Sequence, residues 1–350
     1  MKIKGLCLLC MILATWSAIG QETGGRYAFQ FVSLPNSARL TGLGGGLISV
    51  QDEDVTLAYS NPASLNQKTN GNISVSHQFH FADIQHTYFA YGHSLKKLGI
   101  HTHAGLHHFN YGDFAYGNEL GMLEGSFNAS ETAFVLGAAK TFEDKISVGV
   151  NVKNLFSSFE SYNAYGLALD LGTIYHIDSS YTSIGLVVKN LGGEITSVNE
   201  NHTSAPLDIQ IGFSKRLKYL PFRFSVIFNQ LQRWNVRYDD PNRVQNTTLF
   251  GEQNTPSNLE KTTDNFFRHI SFNGEFLLGK HQNLRLRGGY NHIRRRELSL
   301  ESLRSLAGFS MGLGIKISYF KLDYGIGFHH LAGGSHHLSI STHLDKFKKM

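Results

Sequence analysis

Residues Leu313 to Leu344 read LGIKISYFKLDYGIGFHHLAGGSHHLSISTHL, and this stretch decides the fold. Apolar side chains occupy every second position in the runs 311–317, 320–328 and 338–344, with glycine, serine, histidine or charged residues between them. Period-two alternation is typical of strands with one apolar and one polar face. A strand of about ten residues is long enough to cross a membrane. The stretch therefore predicts the closing meander of an outer-membrane β-barrel.

The first twenty residues are predicted to form a secretory signal peptide that is cleaved near Gly20. Residues 1–4 form a short basic segment, residues 6–16 are apolar, and residues 18–20 resemble a small-residue cleavage site. The two cysteines of the chain, Cys7 and Cys10, both lie inside this peptide. The exported chain is therefore expected to have no disulfide and no thiol chemistry.

The composition agrees with a barrel and argues against nucleic-acid binding. Without its first twenty residues the chain has 30 basic and 27 acidic side chains, so the remaining net charge of +3 is mild. After the leader, no apolar run approaches the roughly 18 residues that a membrane helix needs. The mean hydropathy of −0.19 is compatible with a barrel, because only alternate strand residues meet lipid.

From Asn72 onward the alternation predicts a 14-stranded antiparallel transmembrane β-barrel. It is most regular where Ile146, Val148 and Val150 alternate with small or polar neighbours, and least regular in strands two to four. The predicted strands are residues 72–81, 84–95, 98–111, 129–142, 145–157, 163–176, 181–191, 207–217, 221–231, 268–280, 282–293, 307–318, 319–330 and 335–344.

The lengths of the connections support the even number of strands. Connections after even-numbered strands are short, whereas those after strands 3, 5, 7, 9 and 11 are mostly longer, reaching about 36 residues between Gln232 and Phe267. Bacterial barrels have short periplasmic turns and long outer loops. The connections after strands 1 and 13 are also short, so the asymmetry is partial.

Charged strand residues fall on the face predicted to line the lumen. On the lipid face an Arg or Lys would cost about 2–4 kcal/mol at the bilayer midplane. We therefore expect Val150→Arg to impair assembly and the neighbouring Asn151→Arg to be tolerated. The charges predicted to face the lumen are Lys153, Asp170, Lys189, Asp208, Arg223, Arg285, Arg287, Lys316 and Asp323.

Residues 21–70 lack the alternation and are predicted to form a partly helical hatch in or under the mouth of a barrel domain at 71–350. Asp52-Glu53-Asp54 could bind calcium, but the spacing differs from an EF-hand loop, and we interpret it as a solvated turn. Gly42-Leu43-Gly44-Gly45-Gly46 lacks the Lys-Ser/Thr pair of a phosphate loop. It therefore indicates a flexible or closely packed bend.

Several motifs resemble known outer-membrane barrels. A hatch motif of Asn61, Pro62 and Ala63 ahead of fourteen strands resembles the fatty-acid-transporter (FadL) superfamily. Further motifs are similar to the PorQ family of the type IX secretion system, a Bacteroidetes branch of that superfamily. These motifs are residues 25–31, 34–39, 43–45, 52–55, 61–63, 217–225, 321–324 and 335–344.

The PorQ resemblance implies a non-enzymatic role without a cofactor. Such a protein is an outer-membrane component that anchors a surface-exposed PorZ-like protein. PorU- and PorV-like proteins belong to the same complex, which processes secreted cargo and attaches it to lipopolysaccharide. The expected partners are therefore membrane lipid and this surface complex, and not nucleic acid.

The connection after strand nine contains the candidate partner-binding residues. Trp, Tyr and Arg side chains, which this connection contains, contribute most of the binding energy at protein interfaces. Trp234 fits an aromatic girdle at the membrane edge equally well. Deleting residues 239–262 should release the surface partner if this loop holds it. The candidate residues are Trp234, Arg237, Tyr238, Asp239 and Asp240.

The eighteen histidines raise the question of a metal site. His101, His103 and His107 share one face of strand three, His108 follows, and pairs occur at 329–330 and 336–337. Zinc requires converging ligands with supporting hydrogen bonds. Scattered polar residues of the lumen or rim are the commoner outcome, so we predict no metal site.

Two other functions stay open. A FadL-like transporter of hydrophobic small molecules would need an apolar pocket and a gap in the wall, which Gly325 and Gly327 permit but do not establish. A barrel enzyme acting on lipid or lipopolysaccharide would need a Ser/His or metal constellation, and no spacing distinguishes one.

Overall fold

The computed structural model describes residues 26–117, 122–177, 180–196, 202–237, 257–298, 306–330 and 333–347. Fourteen strands form one closed antiparallel barrel, in which each strand pairs with its neighbours in sequence and β1 pairs with β14. Within these ranges, no helix has the length and apolar character needed to span a bilayer. The predicted leader lies outside the described residues.

All fourteen predicted strands are confirmed. They are β1 (Asn72–Phe79), β2 (Gln85–Leu95), β3 (Ile100–Gly117), β4 (Leu123–Phe142), β5 (Ile146–Phe159), β6 (Tyr162–Ile177), β7 (Thr182–Thr196), β8 (Asp208–Arg216), β9 (Phe222–Phe228), β10 (Ile270–Leu278), β11 (Leu284–Asn291), β12 (Phe309–Ile317), β13 (Phe320–His330) and β14 (Gly333–His343). The register joins Asn72 to His343, which closes the barrel.

The long connections lie at one end of the barrel, which we call the outer end. They are residues 197–207, 229–269 and 292–308, whereas every connection after an even-numbered strand is short. Two helices that the sequence did not predict lie in the long connections, α2 (Asn258–Arg268) and α3 (His292–Glu297). Helix α2 begins at a capping box formed by Ser257 and Glu260.

The third and fourth strands are longer than predicted, with 18 and 20 residues. Past an irregularity after Asn110, residues 113–117 pair with residues 123–128, a stretch interpreted from the sequence as a loop. At about 3.3 Å per residue, 18 residues span about 60 Å along the strand. That exceeds an apolar band of about 25 Å, even for a tilted strand. We call residues 112–117 and 122–128 the β3–β4 extension.

The predicted facing of the strands is also confirmed. On β5, Val150 is 38% exposed, whereas its neighbours Asn151 and Lys153 are fully buried inside. Alternating burial of this kind continues around the wall, with large apolar side chains on the outside. An apolar exterior is stable only against hydrocarbon, so this chain is an outer-membrane protein.

One expectation based on this facing stays a prediction, and the structure adds a steric constraint to it. Asn151 was expected to tolerate Arg because it faces an interior. The interior at this position is occupied, since Asn151 Nδ2 donates to Ala58 O at 2.9 Å and to Asp170 Oδ2 at 3.1 Å. An arginine there would collide with the hatch.

The hatch fills the lumen, and its predicted partly helical character is confirmed. It begins at the outer end, where Ala28 N donates to Ser204 O at 3.0 Å, and leaves at the opposite end, where Gly71 N donates to Gly92 O at 2.8 Å. Its short helical segments are the 3₁₀ turns Gln30–Ser33, Val55–Tyr59, Pro62–Ser64 and Gln67–Thr69 and the helix α1 (Ala38–Gly42).

One side of the hatch is apolar. Phe31, Tyr59 and Leu65 form a buried cluster with wall residues that include Tyr88 and Leu155. Burial of side chains of this size contributes roughly 1.5–3 kcal/mol each. This seam fixes the hatch to the wall formed by β2 to β6.

The other side of the hatch presses its backbone directly on the wall. A Cβ atom at Gly325 would overlap the carbonyl of Ala38, and Gly42 of α1 lies against Gly312 of β12. Glycine is required here because the two backbones leave no room for a side chain. The glycine-rich stretch after Gly42 is therefore a closely packed bend, and Gly325 is a contact point with the hatch and not a gap in the wall.

Candidate functional site

Arg39 lies at the centre of an ion-pair network between the hatch and the wall. Its side chain is 1% exposed, and it pairs with Asp52 at 2.7 Å, Asp54 at 3.0 Å and Glu275 of β10 at 3.1 Å. Helix α1 places Arg39 in the lumen, with Ser37 Oγ capping the helix by accepting from Leu40 N. The two aspartates come from the same hatch, so one guanidinium joins three elements.

The network continues across the strands of the wall. Glu275 also pairs with Arg223 of β9 and with Arg287 of β11, at 2.9 Å for the latter. Arg287 pairs with Asp323 at 2.6 Å, and Lys321 lies 3.2 Å from Asp323 and 3.6 Å from Asp54. We call these side chains the latch; they are Arg39, Asp52, Asp54, Arg223, Glu275, Arg287, Lys321 and Asp323.

The latch is balanced in charge, with four cations and four anions. Buried charges are tolerated only when each has well-placed partners, and loss of one partner leaves the others uncompensated. Burial alone would raise the pKa of Asp54, but Lys321 and Arg39 outweigh it and lower the pKa to about 2. Asp54 is therefore ionised at neutral pH.

The interpretation of Asp52-Glu53-Asp54 as a solvated turn is wrong. The Asp54 side chain is 6% exposed, and the carboxylates of Asp52 and Asp54 face Arg39. Glu53 pairs with Arg285 at 3.1 Å and with Lys316 at 3.2 Å. Cations of the protein itself thus occupy the positions that a calcium ion would need.

The hatch motif Asn61-Pro62-Ala63 docks on the opposite wall. Asn61 Oδ1 accepts from Ala63 N at 3.0 Å, which caps the turn that begins at Pro62. Asn61 Nδ2 donates to Ile48 O at 2.7 Å. Side chains at Gly149 or at its neighbour Gly172 would overlap this motif. The motif is thus a structural contact between hatch and barrel.

The histidines of β3 have separate hydrogen-bond partners. His103 Nε2 lies 2.9 Å from Asn151 Oδ1, His107 Nδ1 lies 3.1 Å from Tyr59 Oη, and His101 Nδ1 lies 2.7 Å from Ser94 Oγ. His108 lies 2.9 Å from Thr132 Oγ1. Among the described residues, no group of three His, Cys, Asp or Glu side chains is placed to hold a metal ion.

Only part of the candidate partner-binding loop is described. Trp234 is 63% exposed, and its indole stacks on His269 with ring centroids 5.5 Å apart. Asn265 Nδ2 of α2 donates to Trp234 O at 2.6 Å, so helix and loop fix each other. Arg237 is partly exposed nearby, and Tyr238, Asp239 and Asp240 lie outside the described residues.

The β3–β4 extension is a second exposed surface, and sequence reasoning missed it. Leu123 is 74% exposed, Met122 58% and Tyr116 48%. The rings of Phe114 and Phe127 stack across the two strands with centroids 5.4 Å apart. Alternating aromatic residues were present in the sequence, but they lie too far from the membrane core for the strand-length rule to include them.

A cavity of about 440 Å³ lies between the hatch and the outer half of the wall. Gly44–Gly46 of the hatch, Lys189 of β7 and Asp208 of β8 line it, together with Arg268 of α2 and Arg294 of α3. Its lining is mainly polar. The lumen of the described chain is therefore occupied by the hatch, with one polar vestibule at the outer end.

Comparison with known proteins identifies the fold. No protein-family model matches the sequence, and no curated protein does. Among solved structures, the TodX deltaS2S3 mutant, a monoaromatic hydrocarbon channel, has a TM-score of 0.50 at 14% identity over 88% of this chain and 97% of that one. The Ralstonia pickettii toluene transporter TbuX has a TM-score of 0.48 at 12% sequence identity, over 89% of this chain and 99% of that one. A Pseudomonas aeruginosa FadL homologue has a TM-score of 0.47 at 8% sequence identity, over 88% of this chain and 98% of that one. At this identity the likeness to TodX concerns the fold alone, which is a FadL-like 14-stranded barrel.

Proposed function

We propose that this barrel is a membrane anchor for a surface protein complex. It would be an outer-membrane component of a type IX protein secretion system that holds a PorZ-like protein, with PorU- and PorV-like proteins in the same complex. The single observation that carries the proposal is the latch. A hatch held by a buried network centred on Arg39 and Glu275 suits a rigid scaffold better than an open conduit.

The motifs that resemble the PorQ family supply most of the latch. Arg39 belongs to residues 34–39, Asp52 and Asp54 to residues 52–55, and Lys321 and Asp323 to residues 321–324. They are separated widely in sequence but meet at one site in the lumen. Motifs that build one shared contact support the resemblance more strongly than scattered matches would.

The outer end offers surfaces for a partner. Trp234 and the β3–β4 extension expose aromatic and aliphatic side chains, and a hydrogen bond from Asn265 of α2 holds the loop that carries Trp234. Aromatic residues on a preorganised surface are typical binding hot spots. We assign both surfaces to contact with the PorZ-like protein.

Surface labelling of cells that lack this chain tests the anchor role. We expect the PorZ-like protein to be lost from the cell surface and to be found in the medium or periplasm, and re-expression of the full chain to restore it. Affinity capture of the full chain from labelled outer membranes should also recover that partner. Undiminished surface exposure of the PorZ-like protein in the deleted strain would contradict the proposal.

Transport of a small hydrophobic molecule is the second candidate. It is favoured by the likeness of the fold to TodX, which is described as a monoaromatic hydrocarbon channel. The polar lining of the vestibule and the contact between Gly325 and Ala38 weigh against it, because an apolar path would be needed. Slower toluene or fatty-acid uptake in the deleted strain, with the surface complex intact, would support transport over anchoring.

A further inference from the structure

The end of the barrel opposite the long connections is strongly basic. Bacterial barrels have their short turns in the periplasm, so we call this the inner end. Apart from the charges that are paired inside the lumen, the described residues place ten cations and three anions there. The cations, which we call the basic rim, are Lys68, Lys96, Lys97, Lys140, Lys145, Lys215, Arg216, Lys218, Lys280 and Lys346, and the anions are Glu143, Asp144 and Asp345.

The basic rim carries charge that the protein itself does not neutralise. Eight of its ten side chains are exposed, and Lys215 and Lys346 are half-buried. Within the described ranges, no side chain of the basic rim forms an ion pair with an acidic residue. Uncompensated cations gathered on one surface attract an anionic partner.

Part of the basic rim continues the lipid-facing surface of the wall. Lys140 lies on the outward row of β4, paired with Ile100 of β3 and with Val148 of β5, and Val148 is 47% exposed. Lys215 continues the outward row of β8 that contains Ile211, which is 42% exposed. A lysine can keep its stem on apolar surface while its ammonium group reaches the lipid headgroups. Because the bilayer covers these rows, headgroups fit their cations better than a protein in the periplasm does.

A groove at the inner end combines cations with aromatic and apolar side chains. Its volume is about 410 Å³, and it lies between the β6–β7 and β8–β9 turns. The backbone N of Arg216 donates to Tyr181 O at 3.0 Å, which joins the two turns. The groove is lined by Tyr181, Arg216, Leu217, Lys218, Tyr219, Leu220 and Pro221.

The side chains of the groove suit the boundary between hydrocarbon and water. Tyr219 is 89% exposed, whereas Tyr181 and Leu220 are each 59% exposed. Tyrosines are enriched at the level of the headgroups, and basic side chains close to a membrane bind anionic lipids. The Nζ atom of Lys218 lies 5.5 Å from the centroid of the Tyr219 ring, so charge and aromatic surface are adjacent. A ligand with an anionic head and an apolar tail would satisfy both.

We propose that the basic rim binds anionic phospholipid of the periplasmic leaflet and that the groove takes one headgroup. The phosphate lies against Arg216 and Lys218, and the glycerol and the first acyl carbons pack on Tyr181, Tyr219 and Leu220. Binding of this kind fixes the depth of the inner end in the membrane. The proposal is independent of the anchor role, because no residue of the basic rim belongs to the latch or to the surfaces at the outer end.

Fluorescence anisotropy of labelled phosphatidylglycerol, with the purified protein in a neutral detergent, tests this proposal. Phosphatidylcholine with the same label and acyl chains is the comparison lipid, because it has the phosphate but no net charge. We expect phosphatidylglycerol to bind about tenfold or more tightly, and about 1 M salt to abolish most of the difference.

Variants of the groove locate the binding. Arg216→Gln and Lys218→Gln should each weaken phosphatidylglycerol binding about fivefold and leave phosphatidylcholine binding unchanged. Lys261→Gln, which removes a half-buried cation from α2 at the outer end, is the matched control and should change neither. The far-ultraviolet circular dichroism of each variant establishes that its barrel is folded.

Equal affinity for the two lipids would overturn the proposal and would favour an acidic protein as the partner of the basic rim. Unchanged phosphatidylglycerol binding in folded Arg216→Gln and Lys218→Gln would overturn the groove as the binding place, as would an equal loss in Lys261→Gln. If inorganic phosphate displaces the labelled lipid as effectively as unlabelled phosphatidylglycerol does, the site binds a free anion and not a lipid.

Discussion

Arg39 of the hatch and Glu275 of β10 form a two-pronged ion pair, with Nε donating to Oε1 at 3.1 Å and Nη2 donating to Oε2 at 3.3 Å. The two residues are 236 positions apart in sequence, and neither side chain is more than 2% exposed. The planar guanidinium matches the carboxylate, so the pair fixes direction as well as distance. Hatch and wall therefore act as one unit.

Removing Arg39 should loosen the hatch. Arg39→Ala leaves Asp52, Asp54 and Glu275 with uncompensated charge, which typically costs about 3–5 kcal/mol for a buried pair. We expect a lower denaturation midpoint and higher ion conductance in planar bilayers. Arg39→Lys should retain only part of the stability lost in Arg39→Ala, because an ammonium group cannot make the two parallel hydrogen bonds that a guanidinium makes to a carboxylate.

Arg285→Ala is the matched control for Arg39→Ala. Its partner Glu53 is about one quarter exposed and keeps Lys316, so the effect on conductance should be small. Equal conductance of the wild type and Arg39→Ala would show that the latch does not hold the hatch.

The latch should resist moderate acid. The pKa of Asp54 is about 2 in the folded chain, against about 3.9 for an unfolded aspartate. A lowered pKa contributes stability above the unfolded value, and that stability is lost as pH falls through the folded value. We therefore expect this contribution to be constant from about pH 8 to 5 and to disappear between about pH 4 and 2.

Denaturation midpoints measured across this range check the acid dependence. In Arg39→Ala the pKa of Asp54 loses one of its lowering charges, so the acid transition should move to higher pH. A wild-type transition centred near pH 6 would contradict this assignment and would indicate a different titrating group.

A charge on the lipid face should block assembly. Val150→Arg places a guanidinium in hydrocarbon at a cost of about 2–4 kcal/mol near the midplane. We expect less protein in the outer-membrane fraction, measured by immunoblot, while Val150→Leu should assemble normally. Asn151→Arg should insert better than Val150→Arg but should conduct ions, because its side chain displaces the hatch.

A side chain at Gly325 should push α1 off the wall. Gly325→Ala places a Cβ against the Ala38 carbonyl, and overpacking of this kind costs about 1–3 kcal/mol. The loss of stability should appear as a lower midpoint of thermal denaturation. Gly288→Ala is the control, since no described atom lies within 4 Å of the added Cβ. Similar shifts for both variants would mean that the contact of Gly325 with α1 is not the cause.

Trp234 should contribute to partner binding. Trp234→Ala removes an exposed indole at the outer end, and hot-spot residues of this type contribute about 2 kcal/mol or more. We expect at least about tenfold less PorZ-like protein to be recovered by affinity capture. Tyr219→Ala, in the turn at the opposite end where Tyr219 is 89% exposed, should have no effect. If Tyr219→Ala releases the partner equally well, Trp234 has no special role.

The unpredicted parts of the fold have identifiable causes. The β3–β4 extension was not predicted because its strands continue outside the membrane. There no hydrocarbon requires a strict alternation of apolar and polar side chains. Helix α2 was not predicted because the loop around it has no strong hydrophobic periodicity. The capping box of Ser257 and Glu260 nevertheless indicates the start of a helix in the sequence.

The sequence by itself determined the number of strands, the face that each presents to lipid and the existence of a separate N-terminal segment. A side chain on the lipid face pays a penalty that depends only on its own polarity, so a local pattern is sufficient to reveal it. Only the tertiary structure decided what fills the lumen. The acidic turn at residues 52–54 looked solvated because its cations come from other elements: Arg39 from helix α1 of the same hatch, and Arg223 and Lys321 from the distant strands β9 and β13. Ion pairing depends on the distances between these charges, and those distances are set only when the hatch folds and docks inside the closed barrel.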